Sequence, residues 1–267
     1  MRSKAISFNR RPQILIVSGL DPSGGAGIQA DIQAVTALGA HPLPVLSCLT
    51  VQDTRNVYGS EAVSADLIRQ QLECLAADTP IAAIKTGALG NAAVVDVLCD
   101  FIQSRDSVPL IVDPVIKAAG GGELADRELI HAMRGRLFSQ ATVITPNGEE
   151  LKLLGENEDE DQSARKLLAA GCRAVLATGG HGLGDDIINT LHLNDADPKQ
   201  WRIPRKGGEY HGSGCTLAAA IAAGCGAGLS LEDAIAAAQA FVSDAIDHAL
   251  QVGSGQAVPD RFRRERS

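Results

Sequence analysis

Short apolar runs separated by helix-length stretches constrain this chain more than any other feature of its sequence. Residues 13–17, 43–48, 82–85, 110–112, 142–144 and 174–177 are apolar runs bounded by Gly, Pro, Asp or Thr. Helix-like stretches lie between them at 28–38, 65–76, 92–103, 127–137 and 163–170, the first and last stopped by Gly39 and Gly171. Strands apolar on both faces and separated by helices predict a mostly parallel sheet covered on each side. Residues 187–193 and 200–203 alternate more and predict an antiparallel edge. Residues 216–226 and 231–250 close the chain as two helices, the second with Ser230 as N-cap. The acidic stretch 157–161 is expected to be a solvated loop. With no linker, repeat or low-complexity block, residues 1–267 are expected to form one α/β domain with flexible tails at 1–11 and 253–267.

Composition narrows the partners. Apolar residues make up 45% of the chain and aromatics only 3%, so the core must be aliphatic and rich in alanine. A net charge of −8 argues against a nucleic acid or an anionic membrane as partner. The basic cluster from Arg261 to Arg266 reads as a solvated tail. Six cysteines (48, 74, 99, 172, 215 and 225) show no CxxC spacing, which suits a reduced cytoplasmic protein with small buried thiols better than a disulfide framework or a zinc site. No window offers 18 consecutive apolar residues, so no membrane span is expected.

In an open α/β sheet, ligands bind outside the carboxyl ends of the strands. Here those ends read Ser18-Gly19-Leu20-Asp21, Thr50-Val51-Gln52-Asp53, Lys85-Thr86-Gly87, Asp113-Pro114, Thr145-Pro146-Asn147 and Thr178-Gly179-Gly180-His181. Six strands ending in polar or glycine residues on one edge point to an active site there. A second glycine loop, His211-Gly212-Ser213-Gly214-Cys215-Thr216, opens a small-residue helix. Its glycines let several backbone N–H groups face one concavity, and the helix adds its positive end, so the loop suits an anion. A thiol at that helix start is expected to have its thiolate favoured, giving a proton acceptor or nucleophile beside the anion. The same residues also suit a plain helix start over a buried, inert Cys215, and the loop alone does not choose between them.

Other motifs are weaker. Gly25-Ala26-Gly27 with Ala30 satisfies a dinucleotide fingerprint, yet its loop is long and Asp53 lies farther on than the fingerprint's acid. No GxxxxGK[ST] or GxSxG is present, and the six histidines lack HxxxH spacing. Asp113 and Glu150 have the character of a Mg²⁺–phosphate site, though Glu150 equally suits the first turn of a helix. Whether Asp31 turns toward the pocket or outward is open.

Taken together, these motifs resemble the ribokinase-like superfamily, and within it the hydroxymethylpyrimidine/phosphomethylpyrimidine kinases of thiamine biosynthesis. The resemblance covers roughly residues 13–250. It rests on the segment from Gly19 to Asp31, on Thr50-Val51-Gln52-Asp53-Thr54, Val112-Asp113-Pro114-Val115, Thr145-Pro146-Asn147 with Glu150, Gly179-Gly180-His181, and Gly212-Ser213-Gly214-Cys215-Thr216. Most of the superfamily has Asp as base where these kinases have Cys. The resemblance implies a three-layer α/β/α sandwich that uses ATP and Mg²⁺, a small pyrimidine alcohol and its phosphate as substrates, and a homodimer. It makes Cys215 the base and Gly212, Ser213 and Gly214 the anion hole. Gln52, Gly19, Ala26, Asp31, Thr50 and Ala88 would line the substrate pocket. Thr178, Gly179, Gly180 and Asn147 would contact the ATP phosphates, and Asp113 and Glu150 would organise the metal. This chain departs from the family at Ala88, where a methionine is usual, at Ala119, where a lysine is common, and at Ala177-Thr178, where a lysine is frequent. A smaller Ala88 should enlarge the pocket, and a kinase of the same fold acting on pyridoxal is the alternative reading.

Overall fold

A computed structural model describes residues 11–105, 107–117, 122–180 and 184–262. The apolar runs become the strands β1 (Gln13–Leu20), β2 (His41–Gln52), β4 (Ala83–Thr86), β5 (Leu110–Val112), β6 (Val143–Ile144) and β7 (Ala174–Ala177). They are joined by β3 (Val57–Ala62) and by β8 (Asp186–Leu193) and β9 (Lys199–Pro204). All nine lie in one sheet of order β3-β2-β1-β4-β5-β6-β7-β8-β9. The stretch from β2 to β7 is parallel, while β3, β8 and β9 pair antiparallel. The antiparallel edge expected from 187–193 and 200–203 is β8 with β9, and the three-layer α/β/α arrangement is the expected one.

The sheet is covered on both faces, as its doubly apolar strands require. One core gathers the alternate residues Leu15, Val17, Ile84, Leu110 and Val112 under α2 (Ala65–Asp78), α3 (Ala92–Gln103), α4 (Arg127–Ala132), α5 (Gly148–Gly155) and α6 (Glu160–Ala169). The other gathers Ile14, Ile16, Ala83 and Ile111 under α1 (Gly27–Ala37), α7 (Ser213–Gly226) and α8 (Leu231–Asp247). Helix α7 is buried from Thr216 through Ala223 and carries alanine at five of those positions. Such a helix presses close to the strands, and at its far end a Cβ on Gly226 would stand 2.5 Å from Ile14 Cδ1. Ser230 caps α8 as expected, accepting from Asp233 N–H.

Several boundaries differ from the sequence reading, each for a local reason. β2 continues past Cys48 to pair with β3, an edge strand that buries only Val57 and so carries no apolar run. The helix expected over 127–137 is α-helical only to Ala132 and then widens into a π-type turn over Met133–Leu137. Helix α5 starts inside a segment that reads as a strand-end loop, because Asn147 and Glu150 form a capping box. The acidic stretch 157–161 is not a loop throughout: Asp159 caps α6 by accepting from Gln162 N–H at 2.8 Å.

Residues 253–262 do not form a free tail: Gly255 N–H donates to Thr54 Oγ1, Val258 pairs with Leu250, and Arg261 is only 1% exposed. Residues 1–10 and 263–267 of the expected tails lie outside the described residues, as do Ala119 and His181.

Candidate active site

The strand order reverses between β1 and β4, and a doubly wound sheet opens its crevice at that point. Lys85, near the end of β4, is fully buried there, with Nζ 2.8 Å from Asp31 Oδ2 on α1 and 3.8 Å from Asp113 Oδ2 beyond β5. Asp31 therefore turns inward, which settles the orientation the sequence left open. The Cys215 sulfur joins this cluster from the first turn of α7, close to Lys85, Asp31, Asp113 and the backbone of Gly27.

One ammonium cannot neutralise two carboxylates and a thiolate in a place with little water. Burial on its own would lower the Lys85 pKa, but Asp31, Cys215 and Asp113 outweigh it and keep the amine protonated. Burial pushes Asp31 up against the pull of Lys85. Asp113 rises to about 6, chiefly by burial, with Lys85 opposing and Asp31 adding repulsion. The Cys215 thiol is pushed up to about 12 by burial, which Lys85 only partly offsets. The expectation of a favoured thiolate is thus corrected: desolvation outweighs the helix start and the nearby cation and holds the Cys215 thiol up.

The two glycine loops interlock above this cluster. Asp21, 1% exposed, accepts from Ser23 N–H at 2.8 Å, from Ala26 N–H at 2.8 Å and from His211 Nε2–H at 2.7 Å. Burial raises the Asp21 carboxyl, but these bonds prevail and hold it down at about 2. A Cβ on Gly25 would meet His211 Cδ2 at 2.4 Å, and one on Gly212 would meet Gly25 O at 2.0 Å. Gly212 also has a φ of 85°, so both its handedness and its contact demand glycine.

The remaining expected residues extend from this centre in two directions. Toward β2, Gly19 faces Cys48 and Ala88, Thr50 Oγ1 donates to Leu20 O at 2.7 Å, and the Ser47 hydroxyl donates to Ala88 O. Toward β7, the Glu150 carboxylate accepts from Ile116 N–H at 3.2 Å and Asn147 N–H at 3.0 Å. Glu150 is driven up to about 8, first by burial and then by Asp113, with those backbone donors opposing. Asn147 bridges to Thr178, and Gly179 N–H donates to Asn189 Oδ1 at 3.0 Å. Gly19, Ala26, Asp31, Thr50, Ala88, Asp113, Asn147, Glu150, Thr178, Gly179 and the residues from Gly212 to Cys215 therefore line one edge. Gly180 is exposed at its rim, where its carbonyl accepts from Arg205 Nη1. Gln52 ends β2 at the β2–β3 hairpin, paired with Val57, and makes no side-chain hydrogen bond among the described residues.

Several residues of the site escaped the sequence reading. Lys85 stands in a strand-end motif, yet in sequence it is one lysine among many until α1 and β5 supply its partners. His211, Asn189, Arg205 and Arg261 act by bonding loops far away in the chain, for which local spacing gives no signal.

This sheet, with its paired glycine loops and the helix that starts at the second of them, defines a ribokinase-like small-molecule kinase fold. The structure is similar to the Staphylococcus aureus pyridoxal kinase in complex with pyridoxal, with a TM-score of 0.86 and 27% identity over 95% of this chain and 94% of that one. It is also similar to the phosphomethylpyrimidine kinase of Clostridium difficile 630, at TM-score 0.76 and 27% identity over 89% of this chain and 100% of that one. The sequence model of the phosphomethylpyrimidine kinase family matches residues 21–260, and the chain belongs to that family. A hydroxymethylpyrimidine/phosphomethylpyrimidine kinase from Streptomyces coelicolor is 37% identical over 91% of this chain and 92% of its own length. The thiamine biosynthesis bifunctional protein ThiED of Geobacter sulfurreducens is also 37% identical over 94% of this chain, which spans only 53% of that longer protein.

Proposed function

We propose that the protein transfers the γ-phosphoryl group of ATP to the hydroxymethyl oxygen of 4-amino-5-hydroxymethyl-2-methylpyrimidine, and then to the resulting monophosphate, in thiamine biosynthesis. The observation that carries this reading is the meeting of the Cys215 sulfur, the buried Lys85 ammonium and the two interlocked glycine loops at one strand edge. In the first transfer, the alcohol oxygen forms a bond to the γ-phosphorus as the bond to the leaving ADP oxygen breaks. The proton of the alcohol passes to the Cys215 thiolate. The N–H groups from Gly212 to Gly214 receive the migrating phosphoryl oxygens, and positioning with charge stabilisation supplies most of the acceleration. With its thiol pushed up to about 12, Cys215 acts only in its minor, ionised form, which Lys85 favours.

Asp113 and Glu150 suit a hard cation, since Asp113 Oδ2 is buried with no hydrogen-bond partner and both acids are driven upward by burial. Mg²⁺ held by Asp113, with Glu150 behind it, would neutralise charge on the nucleotide phosphates. Thr178, Gly179, Gly180 and Asn147 are assigned to the nucleotide. Gln52 would read the aminopyrimidine, with Gly19, Ala26, Asp31, Thr50 and Ala88 around the ring. We read the protein as a cytoplasmic homodimer. Leu49, Val51 and Tyr58 expose 44%, 67% and 64% of their surface on the β2–β3 hairpin, which suits a second copy. No described helix is long and apolar enough to cross a membrane.

The similarity to pyridoxal kinases, together with the small Ala88 beside Gly19, favours pyridoxal phosphorylation as the second reading. A coupled ADP-release assay with the pyrimidine alcohol, its monophosphate and pyridoxal tests both. The expected result is turnover of both pyrimidines at higher kcat/KM than pyridoxal. ADP release with pyridoxal alone selects the second reading, and none with any of the three overturns both.

A further inference from the structure

Arg261 lies one residue beyond the stretch that the family model matches, in a segment whose composition reads as solvent-exposed. Its guanidinium is nonetheless buried and makes four hydrogen bonds. Nε donates to Thr216 Oγ1 at 2.7 Å, Nη1 to Gln33 Oε1 at 3.1 Å, and Nη2 to Gly25 O at 2.6 Å and Gly212 O at 3.3 Å. One side chain thus ties α1, the loop after β1, the second glycine loop and the first turn of α7 together. Burial lowers its pKa, and Cys215, Asp31 and Asp21 oppose that fall, so the cation sits beside the acidic cluster.

We infer that Arg261 is a positioning residue for phosphoryl transfer, acting as a clasp that holds the two glycine loops in register. This rests on the kinase reading above. A trans peptide points its carbonyl and the following N–H in opposite directions. With Gly212 C=O held toward the guanidinium and Thr216, Ser213 N–H faces the opposite way, toward the mouth of the anion hole. A cation on that carbonyl also polarises the peptide and makes Ser213 N–H a stronger donor. Gly25 O is held by the same Nη2, so the substrate loop cannot slide relative to the anion hole without breaking the pair. Backbone pairing brings the clasp to its place: His211 N–H donates to Ala257 O, and Leu250 pairs with Val258.

The test compares wild type with Arg261→Met, which keeps the bulk and removes every donor. Far-UV circular dichroism and thermal melting establish that the variant folds. In the folded variant, kcat should fall about a hundredfold, the scale on which an ångström of misplacement acts. KM for the alcohol and for ATP should change far less. Hydrogen exchange read by mass spectrometry should quicken at peptides covering residues 24–27 and 212–216. A kcat within twofold of wild type overturns the inference, and so does unchanged exchange at both loops. Should Arg261→Met not fold, Arg261→Gly with added guanidinium chloride replaces it. Turnover should then rise with guanidinium in the variant but not in wild type. Full turnover without guanidinium, or a folded variant that guanidinium leaves inactive, overturns the clasp. A wild type inactive on every alcohol sinks the kinase reading instead, and the exchange measurement still decides whether Arg261 orders the loops.

Discussion

Replacing Asp21 with Asn removes one charge from a carboxylate on which three donors converge, two from its own loop and one from His211. The carboxyl is held at about 2 against an ordinary 3.8. At about 1.4 kcal/mol per factor of ten in protonation, that difference corresponds to roughly 2–2.5 kcal/mol of folding stability. Asn cannot recover it, because its NH₂ must face Ser23 N–H on one side or Ala26 N–H and His211 on the other. The sign follows from the depressed pKa. The contribution is fully present above the unfolded value, so it is constant from about pH 5 upward, and it is lost as pH falls toward 2, with about half remaining at pH 3. Urea unfolding, followed by far-UV circular dichroism and by fluorescence of the single Trp201, should give a lower midpoint for Asp21→Asn at pH 7. At pH 3 the gap from wild type should be about halved. Equal midpoints at pH 7, or a gap that does not shrink at pH 3, would refute the link between these bonds and the lowered carboxyl.

Other perturbations probe the rest of the site. Cys215→Ala should lower kcat by about 10²–10⁴ while leaving ligand affinity by calorimetry nearly intact, and unchanged turnover would remove the sulfur from proton transfer. In wild type, kcat/KM should climb from pH 7 to 9, because a thiol at about 12 ionises further with every rise in pH and Glu150, at about 8, ionises over the same range. A flat pH–rate profile would rule out the thiolate as base. Lys85→Met strands Asp31 and Asp113 as buried acids and should destabilise the fold by about 3–5 kcal/mol. Thermal melts of the Lys85→Met, Asp31→Asn double variant should recover part of that loss. Gly212→Ala must accommodate a methyl 2.0 Å from Gly25 O at a φ of 85°, so ADP release should drop at least about a hundredfold, and a near-normal rate would show that the loops are not interlocked.

How much of this was legible from residues alone depended on the range of the interaction. The parallel sheet was, because strands such as Leu15–Val17 and Ile84 announce burial on both faces through unbroken apolar runs. The polar residues at the carboxyl ends of those strands marked the site edge, and Ser230 announced its helix through side-chain chemistry confined to one turn. Edge strand β3 was silent because it buries only Val57 and so has no apolar run to show. Helix α5 was hidden because Asn147 and Glu150 carry capping and ligand signals alike. Arg261 was misread for the opposite reason: a run of arginines looks solvated until four acceptors from distant segments surround one of them. The thiol of Cys215 was placed correctly but its ionisation was not, since a helix start is visible in sequence and the desolvation around it is not.

The buried alanines of α7 make that helix a stiff rod rather than a cushion. Its buried face is mostly methyl groups, with Thr216, Leu217 and Ile221 as its larger buried side chains. Gly226 stands eleven residues from Cys215, a span of about 16 Å at 1.5 Å rise per residue. One added carbon at Gly226 would meet only the turnable tip of Ile14, with Ala82 and Ala83 at ordinary contact distance, so small residues set how closely the far end of the rod lies on the sheet.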